Sequence, residues 1–379
     1  MRTLFLVNHD LKESDGISLK IKNQFYALKE ITSECYLSYV DFSSGDCGRF
    51  INSTKIQKFN GNMTVGFFQS IFSYNSLCNW IKNNKIEFVY IRYTQFCNPS
   101  FICFLNKIKE FGCAIYMEIP TYPYDNECKK WKLLNVKSYV VGILNLIERK
   151  SRTRLIDCVD KIITFSNDSE IFGIKAIKID NAVSTELKPI KSREKESVKF
   201  VGVASLAFWH GYDRMIKSIA KYYNNRYISH RKVEFHIVGD SKLRPNLEAL
   251  SKSLGVSEYV IFHGSLHGEK LDNIITECDI GIDSLGRHRS GNDSNNSLKS
   301  KEYLMRGMPL VKSHIDTTID KTLYHHTVRG DDSIFNLEDI INWYDISAFN
   351  GCEIRSYAVN NFTWDKQFNK IISQYRSVN

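Results

Sequence analysis

Residues 279–311, DIGIDSLGRHRSGNDSNNSLKSKEYLMRGMPLV, decide how the second half of this chain folds. Their pattern predicts a short buried strand at Ile280–Asp283, a long polar loop, and a helix at Ser297–Arg306. A glycine and a proline end that helix, and a further strand follows at Leu310–Val311. A strand, loop, helix and strand in this order are typical of an α/β protein with a parallel sheet.

The loop and helix of this stretch have the chemistry of an anion site. The free N–H groups and the dipole of a helix N-terminus favour a bound phosphate, and Arg287, Arg289 and Lys299 would add positive charge. Glu302 follows about one turn inside the helix, where a carboxylate accepts hydrogen bonds from vicinal sugar hydroxyls. We therefore predict a nucleoside diphosphate site, with an ordinary helix N-terminus and polar loop as the alternative.

Two segments resemble a known family. Ser297–Val311, SLKSKEYLMRGMPLV, is similar to the S-P-L-K-x-x-E-Y-L-A-x-G-x-P signature of bacterial family 4 glycosyltransferases, which have the GT-B fold. Val201–Tyr223 resembles the opening strand and helix of the same family's donor-binding domain. The resemblance implies that Glu302 holds the nucleotide ribose and that the backbone at Ser297 and Leu298 holds the diphosphate.

The resemblance implies two further donor contacts. Trp209, His210 and Gly211 stand where many members carry a basic residue followed by glycine, which contacts the pyrophosphate. Here His210 replaces the more usual lysine, and a neutral imidazole donates one hydrogen bond without a fixed charge. Gly16 resembles the family's glycine loop, which faces the donor phosphates and the acceptor. The alternatives are a loop that packs on and caps the Asp213 helix, and a plain strand–helix turn at Gly16.

Sugar and acceptor recognition depart from the family pattern. The family has another glutamate eight positions before the one that Glu302 resembles. This chain has Ser294 at that position, and the adjacent Asp293 substitutes only if the loop shifts by one residue. The segment 114–125, AIYMEIPTYPYD, is a strand followed by a proline-rich aromatic turn, and open α/β sheets place ligands at such turns. We expect Glu118 and Asp125 to recognise or activate an acceptor hydroxyl, with a solvent-facing turn as the alternative.

A basic segment in the first half suggests a surface contact. Lysine and arginine alternate with aromatic and aliphatic residues over 126–157, as in helices that lie on membranes. The predicted membrane-binding residues are Lys129, Lys130, Trp131 and Lys132. A solvated basic helix face is the alternative.

Composition limits the class of protein. The net charge of +9 implies an anionic partner, and no RNA- or DNA-reading motif accompanies it, which argues against nucleic acid. No apolar run is long enough for a membrane span, and the short apolar start is a first strand rather than a signal peptide. Ten scattered cysteines without a C-x-x-C pair predict free thiols in a reducing cytoplasm.

The 379 residues predict two domains. Alternating apolar and amphipathic stretches run twice, around a polar linker at Pro189–Ser197. In the first run they predict a helix over Phe68–Asn83 and strands at Phe88–Arg92 and Ala114–Ile119. We expect an acceptor-binding Rossmann-like domain at 1–188 and a donor-binding one at 196–361, facing an inter-domain cleft. The resemblance implies that the C-terminal helix, in 362–379, crosses back to complete the first domain.

The resemblance to family 4 glycosyltransferases implies a retaining, metal-independent hexosyltransferase. A nucleotide-diphosphate sugar would be the donor, without a cofactor or metal, and a glycan or lipid-linked saccharide of a bacterial surface polysaccharide, such as O-antigen or capsule, would be the acceptor. The protein would work in the cytoplasm, peripherally at the anionic inner membrane surface. The alternatives are a catalytically inactive nucleotide-sugar or glycan-binding partner, and a GT-B nucleotide-sugar epimerase.

Overall fold

A computed structural model describes residues 1–11, 16–42, 47–61, 63–124, 136–191, 197–224, 231–291 and 293–377, with the backbone alone at 136–141. The chain forms two units of similar size. The first contains Met1–Ile179 and Gln367–Asn379, and the second contains Asp180–Lys366. Each unit has its own sheet and its own hydrophobic core.

The first unit is built on a nine-stranded sheet of order β4-β3-β2-β1-β5-β6-β7-β9-β8. Its strands are β1 Arg2–Asp10, β2 Glu34–Asp41, β3 Gly48–Ile51, β4 Thr54–Lys58, β5 Phe88–Arg92, β6 Ala114–Ile119, β7 Lys161–Thr164, β8 Glu170–Ile171 and β9 Ile174–Lys178. The central strands run parallel, and β3, β4 and β8 pair antiparallel with their neighbours. The order reverses beside β1, because β2 lies on one side of it and β5 on the other.

Helices cover both faces of this sheet. They are α1 Gly16–Ile31, α2 Met63–Phe72, α3 Asn75–Asn83, α4 Pro99–Glu110 and α5 Val136–Ser151. Leu4 and Leu6 pack into one core, whereas the ring of Phe5, between them, meets Tyr90 at 5.2 Å on the other face. Burial on both faces explains why β1 reads as a continuous apolar run.

Two local features of the first unit differ from the prediction. The helix expected over Phe68–Asn83 is two helices, separated near Tyr74, whose ring stacks on Phe104 at 4.8 Å. The β3–β4 hairpin was not predicted. Its residues are largely polar, since β4 lies at the sheet edge and is partly exposed.

The second unit is built on a six-stranded parallel sheet of order β12-β11-β10-β13-β14-β15. Its strands are β10 Ser197–Val203, β11 Lys232–Val238, β12 Val260–Gly264, β13 Ile280–Ile282, β14 Leu310–Lys312 and β15 His325–Thr327. Its helices are α6 Tyr212–Tyr223, α7 Arg244–Ser253, α8 Gly268–Ile275, α9 Leu298–Met305, α10 Leu337–Ser347 and α11 Gly351–Asn361. The order reverses between β10 and β13, so the loops that follow these two strands leave the sheet side by side.

The last helix, α12 Trp364–Arg376, joins the first unit from Gln367 onward. Phe368 contacts Tyr90 and Tyr375 contacts Phe88, both with ring centroids 5.2 Å apart. These aromatic contacts complete one face of the first sheet. The prediction of an α/β fold with two parallel-sheet domains is therefore confirmed.

The division between the units falls at Ile179–Asp180, ahead of the polar stretch predicted as the linker. Val183 is buried against the second core and its N–H donates to Phe362 O at 2.8 Å. Ile190 packs on the same core and its N–H donates to Arg306 O at 2.8 Å. These contacts bind 180–191 to the second unit, although the sequence of this stretch is polar.

The described residues also bear on the thiols and on membrane spanning. Nine cysteines are described, all of them free, and six of these are buried. No helix in the described part of the chain is long and apolar enough to cross a bilayer.

Candidate functional site

The N-terminus of α9 lies beside the carboxyl end of β13 and lacks a side-chain cap. Ser297 occupies the N-cap position with extended backbone, φ −74° and ψ 131°, but its side chain does not cap the helix. Its hydroxyl interacts instead with the carboxylate of Asp283, which follows β13 directly. Because no side chain caps the first turn, the backbone around Leu298 offers its N–H groups to an anionic ligand.

Asp283 organises the polar side chains behind this helix terminus. It is fully buried, its Oδ2 accepts a hydrogen bond from Ser300 Oγ at 2.5 Å, and its Oδ1 lies 3.3 Å from Lys299 Nζ. Burial by itself would raise the pKa of Asp283. The electrostatic effects of Lys299 and His314, and the hydrogen bonds from the Ser300 and Ser297 hydroxyls, outweigh the effect of burial. They hold the pKa of Asp283 below its ordinary value. Asp283 is thus an anion that fixes the position of Lys299.

Two cations remain available near the helix terminus. Lys299 Nζ makes no hydrogen bond of good geometry, despite its ion pair with Asp283. Nε of Arg287 is buried and has no hydrogen-bond partner among the described residues. Both side chains lie close enough to His210 to lower its pKa. The N-terminus of α9 therefore has uncapped amides, with an ammonium and a guanidinium nearby.

His210 is neutral and presents one N–H. It ends a short turn, Phe208–His210, that follows β10, and its Nδ1 accepts a hydrogen bond from the Ala207 N–H at 3.0 Å. Burial, together with the charges of Lys299 and Arg287, lowers the pKa of His210 to about 3. Since Nδ1 accepts, the ring proton is on Nε2, which is left as a donor.

Gly211 allows the two loops to meet. Its φ of +64° is in the left-handed region, and a Cβ there would come within 2.5 Å of the Gly286 nitrogen. Leu285 N donates to His210 O at 2.9 Å and Gly286 N donates to Trp209 O at 3.2 Å. A side chain at 211 would separate these backbones, so the position requires glycine for steric reasons.

Arg289 does not serve as the free phosphate ligand that the sequence predicts. Its guanidinium donates to both carboxylate oxygens of Asp213, at 2.7 and 2.9 Å, and to Asp332 at 2.7 Å. A further hydrogen bond goes to Phe208 O at 3.0 Å. These bonds tie the loop after β13 to the turn after β10 and to the start of α6, so Arg289 positions these loops and has four of its five N–H donors engaged.

Glu302 lies one turn inside α9 with an unengaged carboxylate. It is partly exposed, and no hydrogen bond or ion pair to its side chain occurs within the described residues. Burial raises the pKa of Glu302 to about 7, and the nearby Arg306 and Lys299 offset only part of this effect. A carboxylate without a protein partner, beside an anion-binding helix terminus, is free to accept hydrogen bonds from a ligand.

The structure does not support a role for Glu118 at an exposed turn. The side chain is fully buried within β6 and is bound by Arg92, by Tyr90 Oη at 2.7 Å and by Gln24 Nε2 at 2.6 Å. Burial would raise the pKa of Glu118, but Arg92, Lys20 and these hydrogen bonds hold it below its ordinary value. The sequence places this glutamate two residues before Pro120, and the strand has the predicted bounds, so Glu118 lies inside β6 rather than in the turn that follows it.

The other predicted positions are only partly described. Gly16 begins α1, and a Cβ built there meets no atom within 4 Å, so the described residues impose no need for glycine. Asp125, Lys129, Lys130, Trp131 and Lys132 lie outside the described residues. Asp283 was missed as a site residue, although a carboxylate directly after a buried strand was a visible signal.

One family model matches part of the chain. Residues 183–284 match the family model described as glycosyl transferases group 1. That match contains β10, the His210 turn and β13, and it ends before Arg287 and α9. No curated protein shows significant sequence similarity to the chain.

Solved glycosyltransferase structures share the fold over the whole chain. Sucrose-phosphate synthase of Thermosynechococcus elongatus is 10% identical with a TM-score of 0.68, covering 100% of this chain and 99% of its own. A glycosyltransferase of Rickettsia africae is 14% identical, with a TM-score of 0.65 and coverages of 100% and 98%. Anabaena HepE in complex with UDP is 13% identical, with a TM-score of 0.63 and full coverage of both chains. The chain therefore has the GT-B fold, as predicted.

Proposed function

We propose that this protein is a retaining glycosyltransferase of the family 4 type, which transfers a hexosyl group from a nucleoside diphosphate sugar to a hydroxyl group. The observation that carries the proposal is the free carboxylate of Glu302 one turn inside α9. The N-terminus of that helix is uncapped and has Lys299 and Arg287 beside it. The uncapped terminus and its cations suit a diphosphate, and the Glu302 carboxylate suits the adjoining ribose.

The donor is proposed to bind with its ribose on Glu302 and its diphosphate on the backbone at Ser297 and Leu298. Lys299 and Arg287 would neutralise the phosphates, and Nε2 of His210 would donate one hydrogen bond. Structures of HepE with UDP and with UDP-glucose support a nucleotide sugar as the ligand class. The carboxylate that would contact the donor sugar is not assigned, since Ser294 stands at the expected position.

Catalysis is proposed to be mainly electrostatic and to need neither metal nor cofactor. As the bond between the sugar anomeric carbon and the diphosphate oxygen breaks, Lys299, Arg287 and the helix amides would stabilise the negative charge on the departing diphosphate. The acceptor oxygen would attack the same face of the sugar. Its proton would pass to the leaving phosphate oxygen, so the configuration is retained without a protein nucleophile.

The acceptor is proposed to be a lipid-linked surface glycan at the cytoplasmic side of an anionic membrane. Helix α5 supports this assignment, because Ile143 and Leu146 are 58% and 67% exposed and Arg149 and Lys150 are exposed as well. An exposed apolar pair next to basic residues is typical of interfacial helices. The basic residues at 129–132 precede this helix in the chain.

A ligand panel tests the donor site directly. Melting temperatures would be measured with UDP, GDP, TDP, CMP and their common sugar conjugates, because a bound ligand stabilises the folded state by mass action. We expect one nucleoside diphosphate class to raise the melting temperature in the native chain and not in Glu302→Ala. A shift of equal size in both proteins would remove Glu302 from the site. No shift with any nucleotide, and no donor hydrolysis, would favour an inactive binding protein.

A further inference from the structure

A second charged position, in the first unit, lies far along the chain from the donor-site residues. Arg49, on β3, is fully buried. Its Nη2 donates to Ser70 O at 2.8 Å and to Asn8 Oδ1 at 3.2 Å, whereas Nε and Nη1 have no hydrogen-bond partner. Among the described residues, no carboxylate forms an ion pair with Arg49. The guanidinium is therefore a buried cation whose hydrogen-bonding capacity is half used.

Arg49 lines a cavity of about 30 Å³. The polar lining residues are Asn8, Arg49, Tyr74, Arg92, Tyr93 and Thr94. Asn8 is near the carboxyl end of β1, and Arg92 to Thr94 are at the carboxyl end of β5. Strand order reverses between β1 and β5, and open α/β sheets bind ligands at such a reversal.

The charges around the cavity do not balance. Arg92 is neutralised by Glu118, which also accepts hydrogen bonds from Tyr90 and Gln24. The Tyr93 hydroxyl donates to Glu148 at 2.6 Å and is also engaged. A further favourable contact of Arg49 is the face of Tyr74, with the guanidinium carbon 5.7 Å from the ring centroid. Arginine stays charged even when buried, and a buried charge without a counter-ion is costly.

We propose that this cavity binds a small oxyanion, either a carboxylate or a terminal phosphoryl group, with Arg49 as its counter-ion. A volume near 30 Å³ holds about two waters, which suits the oxygen atoms of such a group. Nε and Nη1 of Arg49 would donate to the oxyanion, and Thr94 lines the same cavity. If the proposed function holds, the oxyanion belongs to the acceptor, which would then be an acidic or phosphorylated saccharide.

Calorimetry with glucuronate, glucose 1-phosphate and uncharged glucose tests the assignment by measuring the affinity of the protein for each. We expect one of the two anions to bind and glucose not to bind, and the preferred anion tells a carboxylate acceptor from a phosphorylated one. Arg49→Met should weaken anion binding at least tenfold, whereas Arg154→Gln, at an exposed arginine of the same unit, should not change it. Thr94→Val, at the cavity wall, should weaken anion binding several-fold. This variant tests the site if Arg49→Met does not fold.

Two results would overturn the inference. One is the absence of binding for both anions. The other is anion binding that survives Arg49→Met and is lost in Lys299→Met, which would assign the anion to the donor site. The two proposals fail separately, because Arg49→Met should keep its response to nucleoside diphosphates. A wild-type chain that binds the anions and no nucleotide would refute the proposed function alone.

Discussion

Lys299 Nζ lies 3.3 Å from the Oδ1 atom of Asp283, a fully buried carboxylate at the end of β13. This contact joins the first turn of α9 to the strand that precedes it in the sheet. It holds an ammonium at the helix terminus where negative charge is proposed to bind. The ion pair therefore links the stability of the second unit to the chemistry of its site.

Asp283→Asn should destabilise the protein by about 3–5 kcal/mol, because it leaves Lys299 buried without its partner. The pKa of Asp283 is held below its ordinary value of 3.8, so its stabilising effect is present above that pH and is lost as the pH falls. Urea unfolding at neutral pH measures the loss. Asp345→Asn, which breaks an exposed pair with Arg231, should cost less than about 1 kcal/mol. Equal effects of the two variants would contradict a special role for Asp283.

Glu302→Ala should raise the dissociation constant of the donor well beyond tenfold, since hydrogen bonds to a charged acceptor contribute about 1.5–3 kcal/mol. Calorimetry with the nucleoside diphosphate identified by the panel measures the change. The control is Glu269→Ala, at a glutamate of the same unit whose side chain is 79% exposed. Donor affinity that stays the same in Glu302→Ala would place the ribose elsewhere.

The pKa of Glu302 also predicts how stability changes with pH. Its pKa is about 7 in the folded protein, against an ordinary value of 4.5. The unfolded chain therefore loses this proton at a lower pH than the folded one, and the residue lowers stability as the pH rises between these values. Glu302→Gln should melt at a higher temperature than the native chain above about pH 7 and at the same temperature below about pH 4.5. A melting-temperature difference that does not change with pH would contradict the raised pKa of Glu302.

His210→Ala should weaken binding of the nucleoside diphosphate by about tenfold, the effect of one hydrogen bond to a charged group. Because burial and the neighbouring cations lower the pKa of His210 to about 3, the imidazole is neutral throughout the range near neutrality. The ratio of native to variant affinity should therefore be constant from about pH 5 to about pH 9. A change in that ratio near pH 6.5 would mean that a charged imidazole binds the phosphate.

Replacing Lys129, Lys130 and Lys132 by glutamate should release the protein from anionic liposomes, since each basic residue near such a surface contributes about 1 kcal/mol. Flotation at physiological salt measures binding. Glutamates at Lys242, Lys252 and Lys270, three exposed lysines of the second unit, change the net charge equally and should leave binding intact. If both triple variants are released alike, net charge rather than the 129–132 segment determines membrane association.

Much of the fold could be predicted from the sequence because its signals are local. The parallel strands Phe88–Arg92 and Ala114–Ile119 have the predicted bounds, since buried strands read as continuous apolar runs. The helix terminus at Ser297 and the carboxylate at Glu302 were also predicted, because both depend on spacing along one short segment. The β3–β4 hairpin has no continuous apolar run, because β4 lies at the edge of the sheet and its residues are partly exposed.

The ionic partners were determined by the tertiary structure alone. Arg289 precedes the helix in sequence, which predicts a phosphate ligand. In the structure its guanidinium donates hydrogen bonds to Asp213 and Asp332 instead. Glu118 is buried beside Arg92, whereas Arg49, which the sequence did not single out, has no counter-ion among the described residues. The physical reason is that the charge state and free donors of a side chain depend on neighbours from distant strands. Amino-acid order specifies backbone periodicity, but only packing specifies which charges are neutralised and which remain for a ligand.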